Sequence, residues 1–425
     1  MSSNPLSLRG MGLLGDFRLL VILFVAFRLM LMMVYQPMVI DDVERGVGAQ
    51  GDRLYHYRLA ELTSEGYWPF VDWWSEFPPV WYMLTTGVYQ LQGANVNYGG
   101  WSITMGLIVL VFEVGNLVLV RKIGTHLYGE ITGMTLAWIY AVMLAPLVFM
   151  YWNFENIVVF TLLLGLWLLL QKREDRSAVA IAVGTLTKFT PALLVGTVFR
   201  FREPRATVRY IAIVAGIFAV VYGLLYINAS ANDADPDIVT ASLTSQFNKA
   251  SYETVWALID GNHATGNFGT VESHLDPDAA DDLYGKPAVI PSFVRLLAAG
   301  AIGLFIFVRA RRLDDRGLVA FVTITLLIFF LQAQGWSPQW LAQIIPLLLL
   351  CFPTKNGVLI AIVLSMLVFT EYPVLFIRTG DTGGEITGAL VMPFVMLVIT
   401  RTLILVGMCV ALYQKLMQEP VPEGT

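Results

Sequence analysis

A succession of long apolar runs separated by short polar segments constrains this chain more than any other feature. Hydrophobic residues make up 56% and charged residues 14% of the 425 residues, which lies outside the range of soluble globular domains. A sheet with open edges cannot exist in lipid, and the alternating pattern of barrel strands is missing from the sequence. We therefore expect an all-α polytopic membrane protein with about 10 to 12 transmembrane helices. The apolar runs lie at 17–36, 79–92, 101–120, 131–151, 157–171, 178–199, 207–227, 289–308, 317–334, 339–352, 356–377 and 386–413.

The distribution of charge predicts the orientation of these helices. The segments 200–209 and 309–316 are rich in arginine, and such segments face the cytoplasm. By contrast, residues 37–80 and 229–288 are acidic and contain few basic residues. We therefore expect both acidic segments on the external face, with residues 229–288 forming a cap over it.

The run 178–199 conflicts with this rule, because basic residues lie at both of its ends. Both ends cannot be cytoplasmic if the run crosses the membrane once. Pro191 removes a helical N–H and crowds the preceding turn, so a break near Lys188 would resolve the conflict. Either the run is broken or re-entrant, or the charge rule fails here.

The first external loop, residues 37–79, contains a short amphipathic pattern over residues 54–65. Gly66 can end this helix, and Pro78 and Pro79 start the next helix at a fixed angle. The sequence thus predicts a helix in the interface plane that is held at both ends. Its apolar positions are Leu54, Tyr55, Leu59 and Leu62, opposite Arg58, Glu61 and Glu65.

Four aromatic residues follow that helix, and their rings are of the kind that settle at headgroup depth. We expect this aromatic belt to hold the loop against the membrane surface, which gives a catalytic carboxylate the rigid setting it needs. The four residues are Trp68, Phe70, Trp73 and Trp74.

Three patches of this sequence resemble the signature of GT-C membrane glycosyltransferases, above all the mannosyltransferases that use polyprenyl-phosphate mannose and the relatives of GPI-anchor mannosyltransferase I. The middle patch, Thr187-Lys188 with Pro191, is similar to their Lys-x-x-Pro, and Ser337-Pro338-Gln339-Trp340 is similar to their late Ser-Pro-Gln segment. The first patch resembles Gly-Asp, Gly-x-x-Pro-Tyr-x-Asp and Glu-Tyr-Pro-Pro, and consists here of Gly51-Asp52, Gly66 with Pro69-Phe70 and Asp72, and Glu76-Phe77-Pro78-Pro79.

The resemblance implies a GT-C-like fold in which residues 1–228 form the catalytic transmembrane module, 229–288 the external cap and 289–425 the C-terminal transmembrane helices. It also implies an enzyme of the cell membrane that moves a hexose, mannose by analogy, from a polyprenyl-phosphate sugar. The acceptor would be a glycan, a lipid or a protein, and the active site would face outward.

Two departures from the signature bear on the chemistry. The GPI-type relatives carry Asp-x-Asp where this chain has Gln50-Gly51-Asp52, so a metal-binding pair of acids is incomplete. No cofactor is required by the sequence, and the dependence on a divalent cation stays open. Phe77 stands where a tyrosine is usual, which preserves packing and removes a hydroxyl.

The chemistry of such a transfer points to particular side chains. An acceptor hydroxyl needs a carboxylate to take its proton, and the departing phosphate needs positive charge or N–H donors. Asp52 is our candidate base, although an acid at the start of a helix is also favoured as an N-cap. Lys188, Arg53 and Arg58 are candidates for contacting the phosphate, and an ionisable group within a membrane segment usually marks a function or an internal pair.

Further candidates carry weaker arguments. Asp41 and Asp42 lie nearer the first span and are either alternative catalytic acids or its solvated boundary. Glu76 is either a ligand of metal or acceptor or a packed hinge residue, and Gln339 either contacts the lipid donor or lies in a plain turn. For Glu113, Asn153 and Glu155 we favour buried, hydrogen-bonded groups.

Two other classes of protein would share this hydropathy profile. A secondary transporter or flippase would show paired halves with matching broken helices, and these halves do not repeat. A polysaccharide polymerase or ligase would place its essential groups in a late loop such as 229–288. Nucleic acid is excluded as a partner by the net charge of −5 and the membrane composition.

Overall fold

The structure, a computed structural model, describes residues 8–34, 38–40, 43–45, 52–143, 153–266, 270–282, 284–379 and 384–419. Its α-helices are α1 (Phe17–Val34), α2 (Asp52–Glu61), α3 (Pro79–Gln92), α4 (Tyr98–Tyr128), α5 (Glu130–Ala141), α6 (Glu155–Leu170), α7 (Glu174–Thr185), α8 (Leu194–Phe201), α9 (Pro204–Ala231), α10 (Asp237–Asn248), α11 (Val255–Asp260), α12 (Ser292–Arg309), α13 (Asp315–Gln332), α14 (Leu341–Cys351), α15 (Lys355–Phe369), α16 (Phe376–Thr379) and α17 (Val391–Leu416). The all-α fold class is confirmed. One small hairpin departs from it, in which β1 (Met38–Ile40) pairs antiparallel with β2 (Val43–Arg45).

Seven helices within the described ranges are long and apolar enough to cross a membrane. The predicted number of about 10 to 12 spans is not confirmed, and three further apolar helices within the described ranges have only 10–17 residues. The seven are Phe17–Val34, Tyr98–Tyr128, Pro204–Ala231, Ser292–Arg309, Asp315–Gln332, Lys355–Leu375 and Gly388–Leu416.

Helix α14 shows why a short apolar run need not be a span. All of its 11 residues are buried, and it is only about 17 Å long, too short for a hydrocarbon layer of about 30 Å. It belongs to the large hydrophobic cluster that also takes in residues of α4, α6 and α13. The run 339–352 is therefore an internal helix surrounded by protein.

Helix α4 connects two chemically different ends of the molecule. At its start, Tyr98 accepts a hydrogen bond from Arg53 of the first loop at 2.6 Å. Near its end, the Leu127 carbonyl accepts from Arg316 of the basic segment at 2.9 Å. The helix has 31 residues and so spans about 46 Å, which places the acidic and basic segments at opposite ends.

The run 178–199 is broken where the sequence predicted. Helix α7 ends at Thr185, and the chain resumes as a 3-10 turn at Thr190. Both charged ends of this segment then meet: Arg202 pairs with Glu174 at 3.1 Å and Arg209 with Asp175 at 2.7 Å. Helices α7 and α8 thus form a re-entrant hairpin, which resolves the conflict in the charge pattern.

The first loop is more deeply buried than its sequence suggested. Phe70 and Trp73 are fully buried and Trp74 is 3% exposed, so the prediction that these rings hold the loop against the membrane surface is wrong. Trp68 alone of the four is half exposed. The rings face inward because the acidic cap covers them: Trp74 donates its indole N–H to the Asp276 carbonyl at 2.8 Å.

A close crossing of α4 and α5 depends on glycine. A Cβ added to Gly133 would lie 2.6 Å from the Thr125 nitrogen and 2.8 Å from the Arg121 carbonyl oxygen, and one added to Gly124 would lie 3.1 Å from the Gly133 Cα. Small residues let transmembrane helices approach at backbone distance. This crossing therefore fixes how the first half of the bundle is packed.

Gly133→Ala should destabilise the protein by about 1–3 kcal/mol, because the obstructing atoms belong to the backbone and the helices must separate. Thermal unfolding of the purified protein in detergent measures the loss. Gly216→Ala on α9 is the matched control: its Cβ meets nothing within 4 Å, and the exchange is favourable by up to about 1 kcal/mol in a helix. Equal effects of the two exchanges would contradict the close crossing.

Candidate active site

A cavity lies at the acidic end of the bundle, between the first loop, the re-entrant hairpin, the cap and the start of α14. Four of the residues predicted from the sequence converge on it although they are far apart in the chain: Asp52, Glu76, Lys188 and Gln339. The lining is completed by Tyr55, His56, Phe77, Phe154, Gln246, Lys249, Tyr252, Ser337 and Trp340.

Asp52 is the first residue of α2, and its carboxylate lines the cavity. The side-chain amide of Gln339 donates to Asp52 Oδ2 at 3.5 Å. The predicted short helix is present, but it begins at Asp52, two residues before its first apolar position, and ends at Glu61, followed by a 3-10 turn. Asp52 therefore occupies the position of a helix-starting acid and faces the cavity as well.

Two other predicted site residues, Arg53 and Arg58, do not line this cavity. Arg53 is buried and points to the Tyr98 hydroxyl, whereas Arg58 lies on the partly exposed face of α2 and pairs with Glu61 at 2.7 Å. Neither arginine is placed to contact a ligand in the cavity. Asp41 and Asp42 lie outside the described residues.

Lys188 forms part of a buried network at the tip of the re-entrant hairpin. Its ammonium group donates to Glu155, the first residue of α6, and Gln343 of α14 donates to the other Glu155 oxygen at 2.7 Å. The rings of Phe154 and Trp340 lie 5.4 and 5.0 Å from the ammonium. The favoured interpretation of Glu155 as a buried, hydrogen-bonded group is thus confirmed, and that group is the partner of Lys188.

A second lysine, which the sequence analysis missed, enters the cavity from the cap. Lys249 follows α10 and forms an ion pair with Glu76, and Gln246 donates to the Glu76 backbone carbonyl at 3.3 Å. The sequence did contain a signal for Lys249, because the acidic segment 229–288 has ten acidic residues and only two lysines. What the sequence could not show is that the cap folds back onto the Glu-Phe-Pro-Pro hinge.

Two histidines support the wall between loop and cap. His274 contacts the Tyr55 hydroxyl through Nε2 and the Trp74 carbonyl through Nδ1, the latter at 2.6 Å, while His56 lies edge-on to Trp81 at 5.5 Å between ring centroids. Burial lowers the pKa of His56 to about 3, with His274 adding to the effect. Burial also lowers the pKa of His274, against the opposing charge of Glu76. Both rings are therefore neutral near pH 7.

Tyr252 forms another wall of the cavity and is held by the C-terminal helices. Its N–H donates to Gln334 O and its carbonyl accepts from Trp336 N–H, both at 3.1 Å, and its ring packs where Gly335 has no Cβ. The next residue, Glu253, is buried with φ of 53°.

The backbone at Glu253 is fixed by a guanidinium from α17. Its carbonyl accepts from Arg401, which also pairs with Glu371, and the Arg401 guanidinium lies 4.4 Å from the centre of the Trp336 ring. The positive φ of a non-glycine residue persists only where its surroundings hold it. The C-terminal helices thus fix one side of the cavity.

The described residues contain no group of three or more His, Cys, Asp or Glu side chains that could hold a metal ion. Asp41 and Asp42 are not among those residues.

A comparison with protein-family models identifies the family of this chain. The model of glycosyltransferase family 87 matches residues 77–333, which is more than half of the chain. The chain therefore belongs to glycosyltransferase family 87. This membership confirms the resemblance to GT-C membrane glycosyltransferases and a multi-pass membrane enzyme, and it favours a transferase over a transporter or flippase.

Other comparisons add little. No curated protein matches the chain. Among solved structures, the Archaeoglobus fulgidus oligosaccharyltransferase in the apo form is 12% identical with a TM-score of 0.42, covering 94% of this chain and 56% of that one. The same enzyme tethered to an acceptor peptide gives 12% identity and a TM-score of 0.39, covering 95% and 55%. The chain spans about half the length of these structures, and similarity this low assigns neither residues nor function.

The low pKa of His56 makes a prediction about pH. An unfolded histidine binds a proton below about pH 6.5, whereas the folded His56 does so only near its pKa of about 3. Its contribution to stability is present above pH 6.5 and is lost as the pH falls toward 3, by about 1.4 kcal/mol per pH unit. His56→Phe should flatten the fall in unfolding temperature between pH 6.5 and 5 while preserving stability at pH 7.5. An unchanged slope would contradict a buried neutral ring.

Proposed function

We propose that this enzyme transfers a hexose from a polyprenyl-phosphate sugar to a hydroxyl acceptor at the external membrane face, with Asp52 as general base. The observation that carries the proposal is the convergence of Asp52, two lysines and Gln339 on a single cavity. These groups come from the first loop, the re-entrant hairpin, the cap and the turn before α14. Such a set matches the two needs of the reaction, which are removal of a proton and neutralisation of a departing phosphate.

Asp52 suits the role of base because it combines exposure to the cavity with a fixed position. Helix α2 is anchored by buried residues on its inner face, including Leu59 and Ala60, so the carboxylate at its start is held by a packed element. Gln339 donates to one of its oxygens and orients the group. As the anomeric C–O bond to phosphate breaks, the acceptor oxygen forms the new bond and its proton passes to Asp52.

The departing phosphate would be contacted by Lys188 and Lys249. Both ammonium groups are paired with carboxylates, Glu155 and Glu76 respectively, which offsets the cost of burying them before a ligand arrives. Three aromatic rings surround Lys188, and a cavity wall of this kind excludes water and strengthens a phosphate contact.

The distribution of charge supports the proposed external location. The cavity lies at the acidic end of α4, whereas Arg200, Arg202 and Arg316 gather at the basic end, which is the expected cytoplasmic side. A lipid-linked donor is consistent with a cavity inside a membrane protein and with a sequence that has no phosphate-cradling glycine-rich motif. Mannose as the hexose rests on the motif resemblance. We retain 1–228, 229–288 and 289–425 as the proposed catalytic module, cap and C-terminal helices.

Asp52→Asn should abolish transfer of radiolabelled mannose from polyprenyl-phosphate mannose, a loss of at least about 10²-fold for removal of a general base. The exchange keeps shape and polarity, so thermal stability should stay near wild type. Glu65→Gln, an exposed acid of the same loop, is the matched control and should retain full activity. Product analysis with mannose and glucose donors measures both. Turnover retained by Asp52→Asn, together with its loss on changing Lys249, would instead favour a polymerase-like enzyme centred on the cap.

The role of Lys188 can be separated from its structural pairing with Glu155. Lys188→Met alone should cost about 3–5 kcal/mol of stability, because it leaves a buried carboxylate without its cation. The double variant Lys188→Met with Glu155→Gln removes both charges and should recover most of that stability. If Lys188 contacts the phosphate, the stable double variant will still have a raised KM for the lipid donor and an unchanged KM for the acceptor. Normal donor use by the double variant would show that the lysine is structural.

A further inference from the structure

A second concave surface lies on the outer side of the first loop, where the segment 66–72 meets α3 and the end of α9. We call it the Trp68 groove. It is distinct from the cavity, with which it shares no lining residue. Its lining consists of Gly66, Trp68, Pro69, Val71, Asp72, Met83, Asn228 and Asn232.

The groove has an unusual combination of side chains. Trp68 is 49% exposed, although the other three residues of the aromatic belt, Phe70, Trp73 and Trp74, are buried. Beside it stand one carboxylate, Asp72, and two exposed carboxamides, Asn228 and Asn232. None of the eight lining residues is a lysine, an arginine or a histidine. A flat apolar ring beside neutral and anionic hydrogen-bonding groups suits a polyhydroxylated, uncharged ligand and disfavours a phosphate.

The backbone that carries the indole is held in place by the fold. The Trp68 backbone N–H donates to Asp72 Oδ2 at 2.7 Å and the Phe70 N–H to Trp73 O at 2.9 Å, which closes a tight turn. Phe70 adopts a φ of 62° within that turn and is fully buried, so its side chain anchors the turn to the core. A preorganised aromatic platform loses little conformational entropy when a ligand stacks on it.

We propose that the Trp68 groove binds the saccharide of the acceptor, with a sugar ring stacked on Trp68 and its hydroxyls bonded to Asp72 and the two asparagines. The use of the ligand as acceptor rests on the proposed function, whereas the binding itself does not. The segment 68–77 connects the two surfaces: its first half lines the groove, and Glu76 and Phe77 at its end line the cavity. An acceptor held by its body in the groove would present its terminal hydroxyl toward Asp52.

An exposed tryptophan also occurs where a protein simply meets lipid headgroups. The neighbouring Tyr67 tests this alternative, because it is 41% exposed on the same loop and does not line the groove. Interfacial anchoring would make Tyr67 and Trp68 equivalent. In a saccharide site, ligand binding would depend on Trp68 and would not depend on Tyr67.

The binding experiment uses the purified full chain in nanodiscs, without donor, and measures saturation-transfer-difference NMR with methyl α-mannoside, mannotetraose and methyl β-glucoside, and with inorganic phosphate as anion probe. We expect at least one saccharide to bind and phosphate not to compete with it. Trp68→Ala should weaken binding about tenfold, Trp68→Phe should retain most of it, and Tyr67→Ala should match wild type. Asp72→Asn keeps an oxygen for the Trp68 backbone N–H and should weaken binding roughly threefold.

An activity experiment then tests the acceptor role separately. Trp68→Ala should raise the KM for acceptor while leaving kcat and the hydrolysis of donor by water unchanged. Absence of saccharide binding to wild type, full binding by Trp68→Ala, or equal losses in Tyr67→Ala would overturn the groove as a saccharide site. Binding that depends on Trp68 in a protein that transfers no sugar would uphold the groove and reject the proposed function.

Discussion

The requirement that a buried charge be paired shapes this protein more than any other interaction. A lone charge within a membrane protein is costly, and truncating one partner of a buried pair leaves the other uncompensated. Each such pair here joins elements that are distant in the sequence, so it acts as a fixed crossing point of the bundle. The pairs include Arg28 with Glu113, Lys188 with Glu155, Lys249 with Glu76, and Arg401 with Glu371.

Two of these pairs also shape the cavity. Glu155 draws Lys188 at the tip of the re-entrant hairpin toward the start of α6, and Gln343 brings in the buried helix α14. Glu76 holds Lys249 of the cap against the hinge that begins α3. The same electrostatic contacts that close the fold therefore leave two ammonium groups beside an open space. A phosphate entering that space would meet cations whose desolvation has already been compensated.

Sequence patterns predicted the parts of the site that depend on local chemistry. Asp52, Glu76, Lys188 and Gln339 each stood at a helix start, a hinge or a break, and all four line one cavity. The break near Lys188 was predictable because Pro191 disfavours a continuous helix in the same run whose two basic ends argue against a single crossing. The number of spans could not be predicted, because an apolar run of marginal length has the same sequence pattern whether lipid or protein surrounds it. The burial of the aromatic loop, the inward position of Lys249 and the outward one of Arg58 depend on how the cap packs, which no local pattern encodes.

The aromatic segment after α2 shows how one short stretch can serve two surfaces. Trp73 and Trp74 are buried and make the segment rigid, Trp74 by stacking on His274 at 4.3 Å between ring centroids. On one side of them Trp68 faces the groove, and on the other Glu76 faces the cavity. Because the tryptophans lock the backbone between these two residues, the distance between groove and cavity is set by packing and not by a bound ligand. A fixed spacing of this kind would select acceptors by length as well as by chemistry, because only a saccharide that reaches from one surface to the other could present its hydroxyl to the base.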